Sequence, residues 1–273
     1  MSLVLDQRQQ AMLREMKVRV FHAPPRVAAA PSVAVAASAT RAPVTPLTRP
    51  PMPVHSAPVP DNLVAFDPQS FVQTRAATGI ELMEWDALAT TVAQCRGCAL
   101  CNGRRNTVFG VGDRQADWLI VGEVPSEVDD LQGEPFLGQD GVLLDNMLRA
   151  LGLNRRQNVY VANVLKCRPP GNRNPEPQEI AQCEPLLRRQ VELLQPRIIL
   201  AMGRFAVEAL LQSTEPIGKL RGQVHRYNGV PLVVTYHPAA LLRNPAKKGE
   251  AWADLCLALE VLEQPQVQVA SGR

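Results

Sequence analysis

An α/β domain, with a mostly parallel sheet covered on both faces by helices, is what this sequence predicts. Two observations carry that expectation. From about Asn62 onward, short runs that are apolar throughout recur along the chain. Amphipathic, helix-periodic stretches alternate with them. Strands without a polar face belong to sheets buried on both sides. In chain order, residues 81–93 read as a helix leading into the first cysteines. Trp118-Leu119-Ile120-Val121-Gly122 is a short, fully apolar strand. Leu143, Leu144, Met147, Leu148 and Leu151 mark one face of a helix. Residues 159–165 form a second strand, and Ile180, Cys183, Leu187, Val191 and Leu194 mark a second long helix. Residues 197–203 form a third strand, followed at once by a helix over 204–211. Residues 224–227 and 230–236 flank Asn228-Gly229, the signature of a hairpin with a primed turn. A last helix covers about 250–262. Ligands of such sheets bind beyond the carboxyl ends of the strands. That rule points to residues 122–126, 163–168, 203–204 and 237–243.

Composition bounds the rest. The 273 residues carry 29 basic and 26 acidic side chains, a net charge of +3. That balance does not announce a nucleic-acid binder, so any such case rests on local clusters. No apolar run approaches the ~20 residues of a membrane span. The first 21 residues are charged throughout and lack an apolar signal core. A cytoplasmic protein is expected. Leu5, Met12, Leu13, Met16 and Val20 fall near one face of a helix, so residues 1–21 read as a partner-binding peptide or a frayed terminus. Residues 22–60 hold ten prolines and no acidic residue, an Ala/Pro-rich disordered linker. Residues 62–265 are the expected globular domain, and 266–273 a disordered tail.

Four of the six cysteines form two distant pairs: Cys95 and Cys98 in a Cys-x-x-Cys, then Cys167 and Cys183 about seventy residues later. Six cysteines are too sparse for a disulfide scaffold, so metal or redox chemistry is the better reading. Four thiolates suit iron–sulfur or structural zinc, and spacing alone does not choose between them. The competing reading of Cys183 is plain core. Cys101 fits no ligand position and reads as a spare thiol; Cys256 reads as core.

The segments at the strand ends hold the unusual residues. They are Gly122-Glu123-Val124-Pro125-Ser126 with Asp129-Asp130, Gly133-Glu134-Pro135-Phe136-Leu137-Gly138, Asn163-Val164-Leu165-Lys166-Cys167-Arg168-Pro169-Pro170, and His237-Pro238-Ala239-Ala240-Leu241-Leu242-Arg243-Asn244-Pro245. With the four cysteines, they resemble the family 4 uracil-DNA glycosylases over about residues 90–262. The resemblance implies a three-layer α/β/α sandwich, a [4Fe–4S] cluster on Cys95, Cys98, Cys167 and Cys183, and DNA as partner. It matches Phe136 to the residue that stacks under a flipped uracil, and Asn163 to the one that reads its edge. His237 matches the donor that stabilises the departing base, and Glu123 the carboxylate near the sugar and the attacking water. Each has a structural alternative: a strand-end amide for Asn163, a structural His237, a Glu123 that only caps a helix. Lys166, Arg168, Arg173, Arg243, Lys247 and Lys248 are candidate phosphate contacts, with the helix start after Gly203 as an added anion site. Their alternative is a solvated basic face.

The first motif departs from the family pattern. Val124 and Ser126 stand where the family has small residues or glycine, and Asp129 replaces a longer acid. Val124 and Asp129 therefore bear on the shape and selectivity of the base pocket. The run from Leu13 to Phe21, followed by Pro24-Pro25, resembles the peptide by which the psi subunit of the bacterial clamp loader grips its partner. Two functions follow: a uracil-DNA glycosylase of base excision repair, or a non-catalytic, psi-like subunit of DNA replication.

Overall fold

The computed structural model describes residues 79–264. The expectations for residues 1–21, 22–60 and 266–273, including the clamp-loader peptide, lie outside the described residues.

Among the described residues, six strands form one sheet in the order β1-β3-β2-β4-β6-β5. They are β1 (Val111–Gly112), β2 (Trp118–Gly122), β3 (Val159–Asn163), β4 (Ile198–Met202), β5 (Val224–Tyr227) and β6 (Val230–Thr235). The central four, β3-β2-β4-β6, run parallel, and β1 and β5 close the edges antiparallel. Every residue of β2, β3 and β4 is buried, as their unbroken apolar character requires.

Successive side chains of each strand enter opposite layers. Leu119, Val121, Tyr160, Ala162, Ile199 and Ala201 share one core with Leu187 and Val191 of α4 (Pro177–Leu194) and with Ala206 and Val207 of α5 (Arg204–Leu211). Trp118, Ile120, Val159, Val161, Ile198 and Leu200 face the other way. They meet Leu144 and Leu148 of α3 (Gln139–Ala150) and Trp252 and Leu255 of α8 (Lys248–Glu263). The three-layer α/β/α sandwich is therefore present, with a core on each side of the sheet.

The predicted hairpin turns at Asn228 (φ 47°) and Gly229 (φ 83°), the two positive angles of a type I′ turn. The helix expected over 81–93 is shorter: a 3₁₀ turn, Ile80–Leu82, precedes α1 (Trp85–Gln94). The second strand ends at Asn163 rather than residue 165. Beyond it, the Val164 and Leu165 N–H groups still bond the Gly122 and Glu123 carbonyls, at 3.0 and 3.3 Å. Three short helices carried no periodic signal: α2 (Glu127–Gln132), α6 (Ile217–Leu220) and α7 (Pro238–Arg243). Six residues or fewer are too short for periodicity to register.

Candidate active site and thiol centre

The chain leaves β2 for β3 on one side and returns to β4 on the other, so the order reverses beside β2. A crevice opens beyond the carboxyl ends at such a reversal. Here it is a cleft of about 490 Å³, lined by Glu123, Val124, Ser126, Asp140, His237 and Arg243 among others. Asp140, at the start of α3, is a cleft carboxylate that no sequence signal singled out. Its carboxyl is held above the usual range by burial, then by repulsion from Asp129.

Register places Gly122 directly opposite Asn163 at the ends of β2 and β3. A Cβ on Gly122 would stand 2.4 Å from Asn163 Oδ1 and 2.5 Å from Phe136 Cζ. Glycine is what lets the amide and the ring meet over the strand end. Glycine in a strand marks close approach of another group, and Gly122 is the sequence signal for this one. Asn163 is buried, and its Oδ1 has no hydrogen-bond partner. Buried acceptors are nearly always paired, so this oxygen stands out as one that no described donor of the chain satisfies.

Phe136 is buried with φ 57°, a conformation a bulky residue rarely adopts. Three contacts hold it there. The Leu137 N–H donates to Asp129 Oδ1 at 2.8 Å. Arg155 Nη1 donates to the Pro135 carbonyl at 2.9 Å, while its Nε bonds Asp145 Oδ1 at 2.8 Å. Gly141 lets α3 press directly on the Phe136 carbonyl, where any Cβ would overlap the oxygen. The Phe136 ring stacks on His237, centroids 5.1 Å apart and planes 22° from parallel.

His237 is the N-cap of α7, and its Nδ1 accepts the Ala239 N–H at 3.2 Å. That bond fixes the tautomer: in the neutral ring the proton sits on Nε2, which becomes a donor. Burial holds the imidazole below its usual 6.5; Glu123 opposes this, Arg243 adds to it and Asp129 opposes it. Glu123 Oε1 accepts the Phe205 N–H at 3.0 Å. A Cβ on Gly203 (φ 99°) would come within 2.5 Å of that oxygen. The helix start after Gly203, expected to bind an external anion, is thus filled by the chain's own carboxylate. One oxygen of Glu123 has the capping role that the alternative reading gave it.

The unusual residues of the first motif act as one device. Asp129 N–H donates to Ser126 Oγ at 3.2 Å, and Ser126 N–H to Asp129 Oδ2 at 2.9 Å, a reciprocal capping box that starts α2. Asp129 spends its other oxygen on the Phe136 loop. Val124 lines the cleft and packs on the first core.

The basic candidates divide. Arg243 is exposed at the cleft rim. Arg168 is half-buried and pairs with exposed Glu127 at 3.3 Å and with Asn172 at 3.0 Å. Arg173 is tied to buried Glu179 at 2.5 Å and to Glu176 at 3.4 Å, so it braces the start of α4. Lys247 bonds Glu250 at 2.7 Å. Lys166 must be corrected: it is 1% exposed and cannot present its charge to a phosphate. Its Nζ donates to the Asn163 carbonyl at 2.9 Å, Gln190 Oε1 at 2.7 Å and the Phe109 carbonyl at 3.2 Å. An apolar strand running into a loop gave no sign that its first lysine stays inside.

Cys95, Cys98, Cys167 and Cys183 line one small cavity, although they come from the end of α1, the following turn, the loop after β3, and α4. Cys101 borders the same cavity. Cys256 packs with the second core, as expected. Among the described residues, no disulfide joins any of these cysteines. Arg104 joins the pairs: Nη1 donates to Cys167 Sγ at 3.1 Å and Nη2 to the Cys95 carbonyl at 2.7 Å. Burial pushes the Cys183 thiol up to about 11, opposed by the Lys166 backbone N–H and then its ammonium. Among the described residues, no three His, Cys, Asp or Glu side chains stand close enough to share a single ion.

The model of the uracil DNA glycosylase superfamily matches residues 109–256. The chain belongs to that superfamily. Within it the chain groups with the type-4 proteins. It is 40% identical to a type-4 uracil-DNA glycosylase of Archaeoglobus fulgidus, over 62% of this chain and 88% of the relative. It is 42% identical to one of Saccharolobus solfataricus (59% and 78%) and 40% identical to one of Pyrobaculum aerophilum (64% and 93%). The superfamily match takes in the whole cleft together with Cys167 and Cys183, while Cys95 and Cys98 precede it. The cysteines of the cavity thus come both from the matched region and from the segment before it. No helix among the described residues is long and apolar enough to cross a membrane.

Proposed function

We propose that this protein excises uracil from DNA, flipping the base into the cleft and hydrolysing its N-glycosidic bond. The observation that carries this reading is the unpartnered, buried Oδ1 of Asn163 beside the Phe136 ring. A uracil lying on Phe136 would offer N3–H to that oxygen and its O4 to the amide N–H. Cytosine has no hydrogen at N3, so it would leave Oδ1 unpaired, a costly mismatch.

Cleavage breaks the C1′–N1 bond, and the bonding pair leaves with the base. His237 Nε2–H stabilises the charge growing on the departing uracil oxygen. The oxygen of Glu123 not bonded to Phe205 orients the water that forms the new C1′–O bond, or stabilises the sugar's positive character. The water's proton ends on uracil, and an abasic sugar remains. Arg243 and Arg168 hold the flanking phosphates.

Cys95, Cys98, Cys167 and Cys183 are the residues that would hold a [4Fe–4S] cluster, and the cavity supports that assignment. Cys95, Cys98, Cys167 and Cys183 bring four soft donors to one cavity, with no histidine or carboxylate in its lining. An all-cysteine donor set is what such a cluster takes. Bound there, it supplies cross-links that order the residues 95–98 and 167–183 segments.

The deciding experiment is excision from uracil-containing single- and double-stranded DNA by the iron-loaded protein. Abasic product is expected; none at high enzyme concentration, with the cluster's visible absorbance present, rejects the reading. Gly122→Ala, whose methyl would occupy the space between Asn163 and Phe136, is expected to cut excision by at least about a hundredfold. Its affinity for undamaged DNA should stay unchanged.

A further inference from the structure

Lys166 carries three ammonium hydrogens, and three acceptors take them: the Asn163 carbonyl, Gln190 Oε1 and the Phe109 carbonyl. None is a carboxylate. A buried cation among neutral acceptors needs an anion close by. Lys166 also borders the cavity of Cys95, Cys98, Cys167 and Cys183. It precedes Cys167 directly in the chain and shares that cavity with Cys183. Bound to a cluster, those cysteines would be thiolates and would supply the missing negative charge. The same side chain reaches the opposite way to the end of β3, where the Asn163 peptide sets the direction of the Asn163 amide. Gln190 completes the link, because it sits on α4, the helix that carries Cys183.

We propose that Lys166 is a positioning residue that couples the four-cysteine centre to Asn163, so that the state of the centre governs how sharply uracil is read. This rests on the uracil-reading role proposed for Asn163. Charge at the centre holds the ammonium in place. The ammonium pins the Asn163 carbonyl, and the pinned peptide keeps Oδ1 aimed over Gly122. Loss of the centre frees α4 and Lys166 together, and the amide loses its fixed direction.

The test uses the full-length, iron-loaded protein and an oligonucleotide carrying 2′-fluoro-deoxyuridine, whose glycosidic bond resists cleavage. Affinity is measured for it and for its cytosine counterpart across a salt series, with iron content and visible absorbance recorded. Lys166→Met is expected to lose about tenfold of the uracil preference, with cytosine-oligonucleotide affinity and salt slope unchanged. Gln190→Leu should move the same way by a smaller factor. A fall in affinity for both oligonucleotides, with a salt slope shallower by about one phosphate, would make Lys166 a backbone contact and overturn the proposal. Unchanged preference in an iron-loaded variant overturns it as well. If Lys166→Met fails to fold or to hold iron, Gln190→Leu decides: lost preference supports the coupling and retained preference rejects it. If the unmodified protein itself shows no preference for uracil, the reading of Asn163 has failed, and the coupling falls with it.

Discussion

His237→Ala should lower kcat for uracil excision by about 10²–10³, with KM little changed. The reasoning starts from one backbone bond. Ala239 N–H donates to Nδ1, so the ring meets the cleft through Nε2–H. A donor aimed at a carbonyl contributes little while that oxygen is neutral. It contributes much more once the oxygen carries the leaving pair, which is why the loss falls on kcat. The same geometry fixes the pH response. Burial is the largest influence on His237 and lowers its pKa from 6.5, so the neutral ring persists as pH falls through that value. His237 should therefore leave kcat flat on descending through pH 6.5 and reduce it only below. The sign for stability agrees: a histidine whose pKa is lowered by folding binds its proton more readily when unfolded. Its share of stability is present above the unfolded pKa and declines as pH falls below it. A pH–rate profile of the unmodified protein beside His237→Ala measures both effects. A kcat equal in the two proteins would remove His237 from the chemistry.

The sheet was legible because its strands are apolar throughout and its helices long enough to repeat. Trp118–Gly122 and Arg204–Leu211 have their expected bounds. The grouping of Glu123 and His237 at one cleft was legible too, because the rule about carboxyl ends needs only the strand positions. Direction was not legible. Lys166 and Arg173 look like surface cations in a basic, proline-rich stretch, yet one points into the core and the other braces a buried glutamate. Whether a long cationic side chain turns inward depends on acceptors from distant segments, here Phe109 and Gln190, which no local pattern announces. The first motif taught a related lesson. Ser126 and Asp129 look like two separate departures when each is compared with a family position. Three residues apart at a helix start, they satisfy one another, and Asp129 then anchors the Phe136 loop.

Cys183→Ser should empty the thiol centre and lower the melting temperature by roughly 10 °C, a loss of several kcal/mol in a domain of this size. Cys183 lies on α4, buried within the first core, so the substitution introduces little strain of its own. What it would remove, on the proposed cluster assignment, is the soft ligand joining α4 to the residues 95–98 segment. Arg104 would remain as the described side chain bridging the two pairs, through the Cys167 sulfur and the Cys95 carbonyl. Half-buried hydrogen bonds of that kind contribute about 1–3 kcal/mol and cannot replace a metal cross-link. Five cysteines border the cavity, and a cluster of this type takes four, so Cys101→Ser is the informative companion. It should keep its iron, its visible absorbance and its melting temperature. Iron retained by Cys183→Ser and lost by Cys101→Ser would exchange the two thiols in the assignment. It would also cut the path from the centre through α4 and Gln190 to Asn163, because Cys101 belongs to the Ala99–Asn102 turn and not to that helix.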